Sequence, residues 1–98
     1  MKKQDAIAIL RRHADTLRAR GVRHAALFGS VARGDAGPES DLDIMIELDP
    51  DARIDLFAYA GLRSFIEALF PGRVDVVDQA ALKPDLRDPV SADAIYAF

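Results

Sequence analysis

The sequence predicts an α/β fold of the α+β kind, a small mixed sheet of about three strands packed with helices. Three observations predict it. Apolar residues recur at helical spacing in two segments, and they alternate with polar ones in a central segment. The segments follow in the order helix, strand, strand, helix, strand, helix. The 98 residues are expected to form one domain, residues 1–98. A chain of this size buries roughly 60–70% of its unfolded surface, enough for a single core.

Residues 3–20 read as the first helix, because Ile7, Leu10, Ala14 and Leu17 make one apolar stripe. Gly21 is a natural stop, and Arg18 and Arg20 suit the negative end of the helix dipole. Residues 23–28 are short and bounded by glycine, so they read as a strand, followed by the turn-rich stretch from Gly29 to Ser40. Residues 41–48 give the clearest strand. Leu42, Ile44, Ile46 and Leu48 point to one face, and Asp41, Asp43, Met45 and Glu47 to the other. Asp49, Pro50 and Asp51 break it, the two aspartates being expected to cap the next helix. That helix spans 55–70, with Ala58, Leu62, Phe65, Ile66, Leu69 and Phe70 at helical spacing, and Pro71-Gly72 ends it. Val74 to Val77 form the third strand, and Gln79 to Phe98 read as short helical pieces broken at Pro84 and Pro89.

Composition narrows the function. There is no cysteine, so neither a disulfide nor a thiolate nucleophile is available, and a reducing, cytoplasmic setting is expected. No apolar run reaches the roughly 20 residues of a membrane span, so no membrane partner is expected. Net charge is −3, yet residues 1–34 carry eight basic side chains against two acidic ones, and residues 35–98 five against fourteen. Such polarity can steer charged partners, and it reads equally as ordinary solvated helix faces. The arginine-rich first helix lacks interleaved aromatics, so direct nucleic-acid binding is not expected.

Three features carry chemistry together: Gly29-Ser30 directly after a strand, Asp41-Leu42-Asp43 at the start of the next, and Asp75 between valines in the last. Side chains two apart on a strand share a face, their α-carbons about 6.5–7 Å apart. Two carboxylates so placed repel each other unless a cation lies between them. Hard divalent ions such as Mg²⁺ take oxygen ligands, commonly one or two carboxylates plus substrate phosphates. Glycine lets backbone N–H groups approach a phosphate, Ser30 can donate to it, and Arg33 is a further candidate for the same turn. The pieces meet if the first two strands run antiparallel and the third runs parallel to the second, with helix 55–70 as the crossover.

These motifs, Gly29-Ser30-Val31-Ala32-Arg33-Gly34, Ser40-Asp41-Leu42-Asp43-Ile44 and Arg73-Val74-Asp75-Val76-Val77, resemble those of the DNA polymerase beta-type nucleotidyltransferase superfamily. The whole chain is similar to its minimal members, which are the catalytic domain alone; the match covers roughly residues 1–83, and residues 84–98 match loosely. The resemblance implies a nucleotidyltransferase fold in which Gly29 and Ser30 hold the phosphates of ATP. It further implies that Asp41, Asp43 and Asp75 bind two Mg²⁺ ions, and that Asp75 also helps deprotonate the attacking hydroxyl. The implied reaction transfers AMP, with pyrophosphate leaving. It also implies an antitoxin role, in which the acceptor is a tyrosine of a HEPN-type ribonuclease toxin. Two alternatives stand beside it: an antitoxin that masks its toxin by contact alone, and an enzyme with a small-molecule acceptor. The remaining candidates read blandly. His13 is expected on a solvated helix face, His24 half-buried in its strand, Tyr59 and Tyr96 in packing, and Phe57, Phe65 and Phe70 in the core.

Overall fold

The computed structural model describes residues 2–33, 41–81 and 94–98. Two helices, α1 (Lys3–Arg12) and α2 (Ala14–Ala19), precede strand β1 (Val22–Phe28) and the short helix α3 (Gly29–Arg33). Strand β2 (Leu42–Leu48), helix α4 (Leu56–Ala68) and strand β3 (Val74–Asp78) follow, then one 3₁₀ turn (Gln79–Ala81) and strand β4 (Ile95–Tyr96). The sheet order is β3-β2-β1-β4. β1 is antiparallel to both β2 and β4. β2 and β3 are parallel, and α4 lies between them in sequence as their crossover.

The expected helix over 3–20 is two helices. His13 Nδ1 donates to the Ile9 carbonyl at 2.9 Å, occupying the acceptor that its own backbone N–H would use in an unbroken helix. That N–H turns instead to Leu10 O at 3.2 Å. The ring also meets Phe65 edge-on at 6.1 Å, so His13 is half-buried against α4 rather than solvated. Gly21 does stop the segment. Its φ is +99°, and the side chains of Ile54 and Ala52 lie against the space a Cβ would need.

Leu10, Leu17, Leu27, Ile44, Ile46, Leu62 and Ile66 are at most 1% exposed and tie the helices to one face of the sheet. Burying a side chain of this kind stabilises the fold by about 1.5–3 kcal/mol. The second face of β2 is not uniformly polar, because Met45 and its β1 partner Ala26 are as buried as the core. β1 and β2 are the two central strands, so their middles are closed on both faces and only the strand ends open.

Four further expectations change. Phe57 is 86% exposed and outside the core, because it precedes Leu62 and Ile66 by five and nine residues, roughly half a turn from the buried stripe. Ala58 is also exposed, in the first turn ahead of that stripe. Asp49 and Asp51 do not cap α4: Asp49 accepts the Asp51 N–H within its own turn at 2.9 Å, and the cap is Asp55, which accepts the Ala58 N–H at 2.7 Å. The sheet has four strands rather than three, because Ile95 and Tyr96, expected among helical pieces, pair with the free edge of β1. The rest of that expectation, residues 82–93, lies outside the described residues. Arg11 Nε holds this strand by the Ala97 carbonyl at 2.8 Å, and the Arg18 guanidinium lies 4.9 Å from the Phe98 ring centroid. Tyr96 is 43% exposed and touches His24 edge-on, which is half-buried as expected. No helix among the described residues is long and apolar enough to cross a membrane.

Removing the α4 cap by Asp55→Ala leaves the Ala58 N–H without its acceptor and lowers stability by about 1 kcal/mol. Urea unfolding is expected to show a lower midpoint at an unchanged m value.

Candidate active site

β1 ends at Phe28, and Phe28 stands opposite Asp43 in the antiparallel ladder. The next residue, Gly29, adopts a φ of +75° and opens α3. A Cβ there would collide with the Asp43 carboxylate. Backbone conformation and close approach therefore both require glycine. On its other side Asp43 is in register with Asp75 of the parallel strand β3, about 4.8 Å away in strand spacing. The Leu42 N–H donates to the Arg73 carbonyl at 3.0 Å, which sets Asp41 alongside Arg73 at the mouth of the same strands.

Gly29, Asp41, Asp43 and Asp75 thus meet at one end of the sheet, on the strand directions their spacing called for. Asp43 is half-buried, while Asp41 and Asp75 are exposed. Ser30 and Arg33 lie in α3, and their side chains fall outside the described residues. Asp41 and Asp75 also border an open cavity of about 460 Å³, whose other lining residues are Glu67, Gly72, Arg73 and Val74. Among the described residues no three His, Cys, Asp or Glu side chains converge tightly enough to clasp one ion. The carboxylates instead line a face. That spacing fits a hard cation completing its shell with water and phosphate oxygens, since Mg²⁺ commonly takes only one or two carboxylates from the protein.

Two lining residues had no role in the sequence reading. Arg73 had a signal, standing two residues before Asp75 at the start of a strand and so sharing its side. Glu67 had none, because only the packing of α4 brings its last turn to the start of β3. The histidines and tyrosines stay away from this end. His24 pairs with Glu47 at the far end of the ladder and reaches the Phe98 carbonyl at 3.3 Å. Tyr59 borders a separate cavity with Leu48 and Asp78, at the opposite ends of β2 and β3. Burial pushes its phenol above the usual value, the Asp78 charge adds to this, and Arg63 opposes it. Tyr59 is a packing residue there.

The model of the nucleotidyltransferase domain family matches residues 10–97. The chain belongs to this family. Its sheet and helices are those of the nucleotidyltransferase fold, and the chain is a nucleotidyltransferase. A Thermococcus cleftensis protein, protein adenylyltransferase MntA, is 36% identical over 90 residues, covering 91% of this chain and 89% of that one. A solved structure named for a minimal nucleotidyltransferase is 32% identical with a TM-score of 0.70, covering 97% of this chain and 95% of its own. The complex of a tri-AMPylated Shewanella oneidensis HEPN toxin with its MNT antitoxin shares the fold at 19% identity. Its TM-score is 0.63, over 94% of this chain and 71% of that one.

Glycine at position 29 of this nucleotidyltransferase has a direct test. Gly29→Ala forces a side chain into the left-handed region and onto Asp43, and is expected to cost about 1–2 kcal/mol. Gly72→Ala, with no atom within 4 Å of the added Cβ and no positive φ, is expected to leave the urea midpoint close to that of the parent.

Proposed function

We propose that this nucleotidyltransferase is a Mg²⁺-dependent protein adenylyltransferase that moves AMP from ATP to a tyrosine of a HEPN-type ribonuclease toxin, and so acts as its antitoxin. One observation carries the reading: Asp43 is held between Gly29 and Asp75, so that a phosphate-approach turn and a row of carboxylates share one sheet end. The 36% identity to a protein adenylyltransferase supports the acceptor class.

The Gly29–Ser30 turn holds the triphosphate by backbone N–H groups, with the α-phosphorus lying over β2. Asp41, Asp43 and Asp75 are an all-oxygen donor set and would hold Mg²⁺. When bound, the metal lowers the pKa of the acceptor hydroxyl and offsets charge on the leaving pyrophosphate. The acceptor oxygen forms a bond to the α-phosphorus, and the bond from that phosphorus to the bridging oxygen breaks. Pyrophosphate carries away the electron pair, and the hydroxyl proton passes to the Asp75 carboxylate, the acidic group nearest the outer edge.

The protein, Mg²⁺ and labelled ATP, incubated with a HEPN-type toxin protein, test this. Label should pass to a tyrosine and stop when the metal is chelated. Asp43→Asn and Asp75→Asn should each lower the rate about a hundredfold or more while leaving the unfolding midpoint near that of the parent. Full neutralisation of the toxin by the Asp41→Ala, Asp43→Ala double variant would instead mean that contact alone suffices.

A further inference from the structure

We propose that the cavity beside Asp75 is the acceptor subsite of the reaction, and that Arg73 selects acceptors carrying an anionic group next to the hydroxyl to be modified. This rests on the adenylyltransferase reading above and adds to it which surface receives the acceptor and what that surface recognises.

Lateral order in the sheet places the two substrates. Gly29 follows β1, Asp43 is on β2, and Asp75 is on β3, the outer strand. Two strand spacings, about 10 Å, separate the phosphate turn from β3. In a phosphoryl or nucleotidyl transfer the attacking and leaving oxygens lie roughly in line across the phosphorus. With the leaving phosphates over Gly29, the attacking oxygen must arrive from the side of β3. The cavity of about 460 Å³ is on that side: among the described residues, its lining comes from the start of β2, the end of α4 and the start of β3, and none from β1 or α3. Its volume suits a single large side chain with its immediate neighbours.

Charge then indicates what it selects. Asp41, Glu67 and Asp75 border the cavity, and Arg73 is the only basic residue lining it among the described residues. Glu67 already has a cationic neighbour, Arg63, at 3.8 Å. Arg73 makes no ion pair within 4.0 Å among the described residues, although its backbone is anchored to Leu42 by the 3.0 Å hydrogen bond. An exposed guanidinium on an anchored backbone, sharing a cavity with three carboxylates, can present its planar donors to a carboxylate or phosphate group. Without it, those carboxylates would repel any anionic acceptor. The shared chemistry is an oxyanion beside the acceptor hydroxyl, either a carboxylate of the partner protein or the phosphodiester of an AMP already attached.

The test measures transfer of labelled AMP to a HEPN-type toxin protein by the full chain, with separate KM values for acceptor and for ATP. Arg73→Ala is expected to raise the acceptor KM about tenfold, and Arg73→Glu further, with the ATP KM within about twofold of the parent. Arg73→Lys should restore most of the loss, and Arg53→Ala, an exposed arginine outside the cavity, should leave both constants unchanged. Using unmodified and pre-adenylylated acceptor in parallel separates the sources. An effect on both indicates a protein carboxylate, and an effect confined to the second indicates the phosphodiester. An unchanged acceptor KM, or a rise in the ATP KM instead, overturns the proposal while the parent's activity preserves the adenylyltransferase reading. No transfer by the parent protein overturns both.

Discussion

The Asp43 carboxylate lies directly against the α-carbon of Gly29, and that contact organises the candidate site. It exists because the β1–β2 ladder sets Phe28 opposite Asp43, so the residue after Phe28 must turn away over that carboxylate. Only a residue without Cβ and free to take positive φ can do so. The parallel pairing with β3 then places Asp75 on the other side of Asp43. A slip of one residue in either register would send Asp43 to the opposite face, among Leu42, Ile44 and Leu62. The buried apolar face of β2 therefore specifies the face of the candidate site as well: Ile44 and Ile46 must face the core, so Asp43 must face away from it.

The charge polarity of the chain acquires meaning from the fold. Several arginines of the basic first third are structural cations rather than a free electrostatic surface. Arg11 and Arg18 hold the C-terminal residues, and Arg20 lies 5.0 Å from the ring centroid of Phe65 on α4. Cation–aromatic contacts at exposed sites contribute about 0.5–1 kcal/mol each. Among the described residues, acidic side chains gather at both ends of β2 and β3. Asp41, Asp43 and Asp75 occupy the end that carries the candidate site, while Glu47, Asp49 and Asp78 border a cavity of about 520 Å³ at the other.

Much of the site was legible because its residues sit on strands. Period-two alternation assigns faces without ambiguity, so Asp41 and Asp43 could be paired from spacing, and Asp75 could be joined to them through the crossover rule. Helix positions were less legible where local chemistry competes with periodicity. His13 looks like any helical residue until its ring takes the Ile9 carbonyl, and Phe57 looks apolar and helical yet lies off the buried stripe. The cap was misplaced for a similar reason, since three aspartates precede α4 and only the position of the first turn tells which one reaches its N–H groups.

What the sequence alone determined is the order of elements, the faces of the strand residues and the glycine turn, with strand polarity only as the condition for the carboxylates to meet. These follow from contacts between near neighbours and from alternation, both readable in one dimension. Tertiary structure decided the fourth strand, the break at His13, and the presence of Glu67 and Arg73 beside Asp75. The fourth strand joins segments far apart in the chain, whereas the break at His13 and the place of Glu67 and Arg73 depend on a side-chain hydrogen bond and a turn that periodicity does not reveal. The edge of β1 accepts Ile95 and Tyr96 because its backbone groups lie open on that side, and nothing in the local pattern of residues 94–98 announces such an edge.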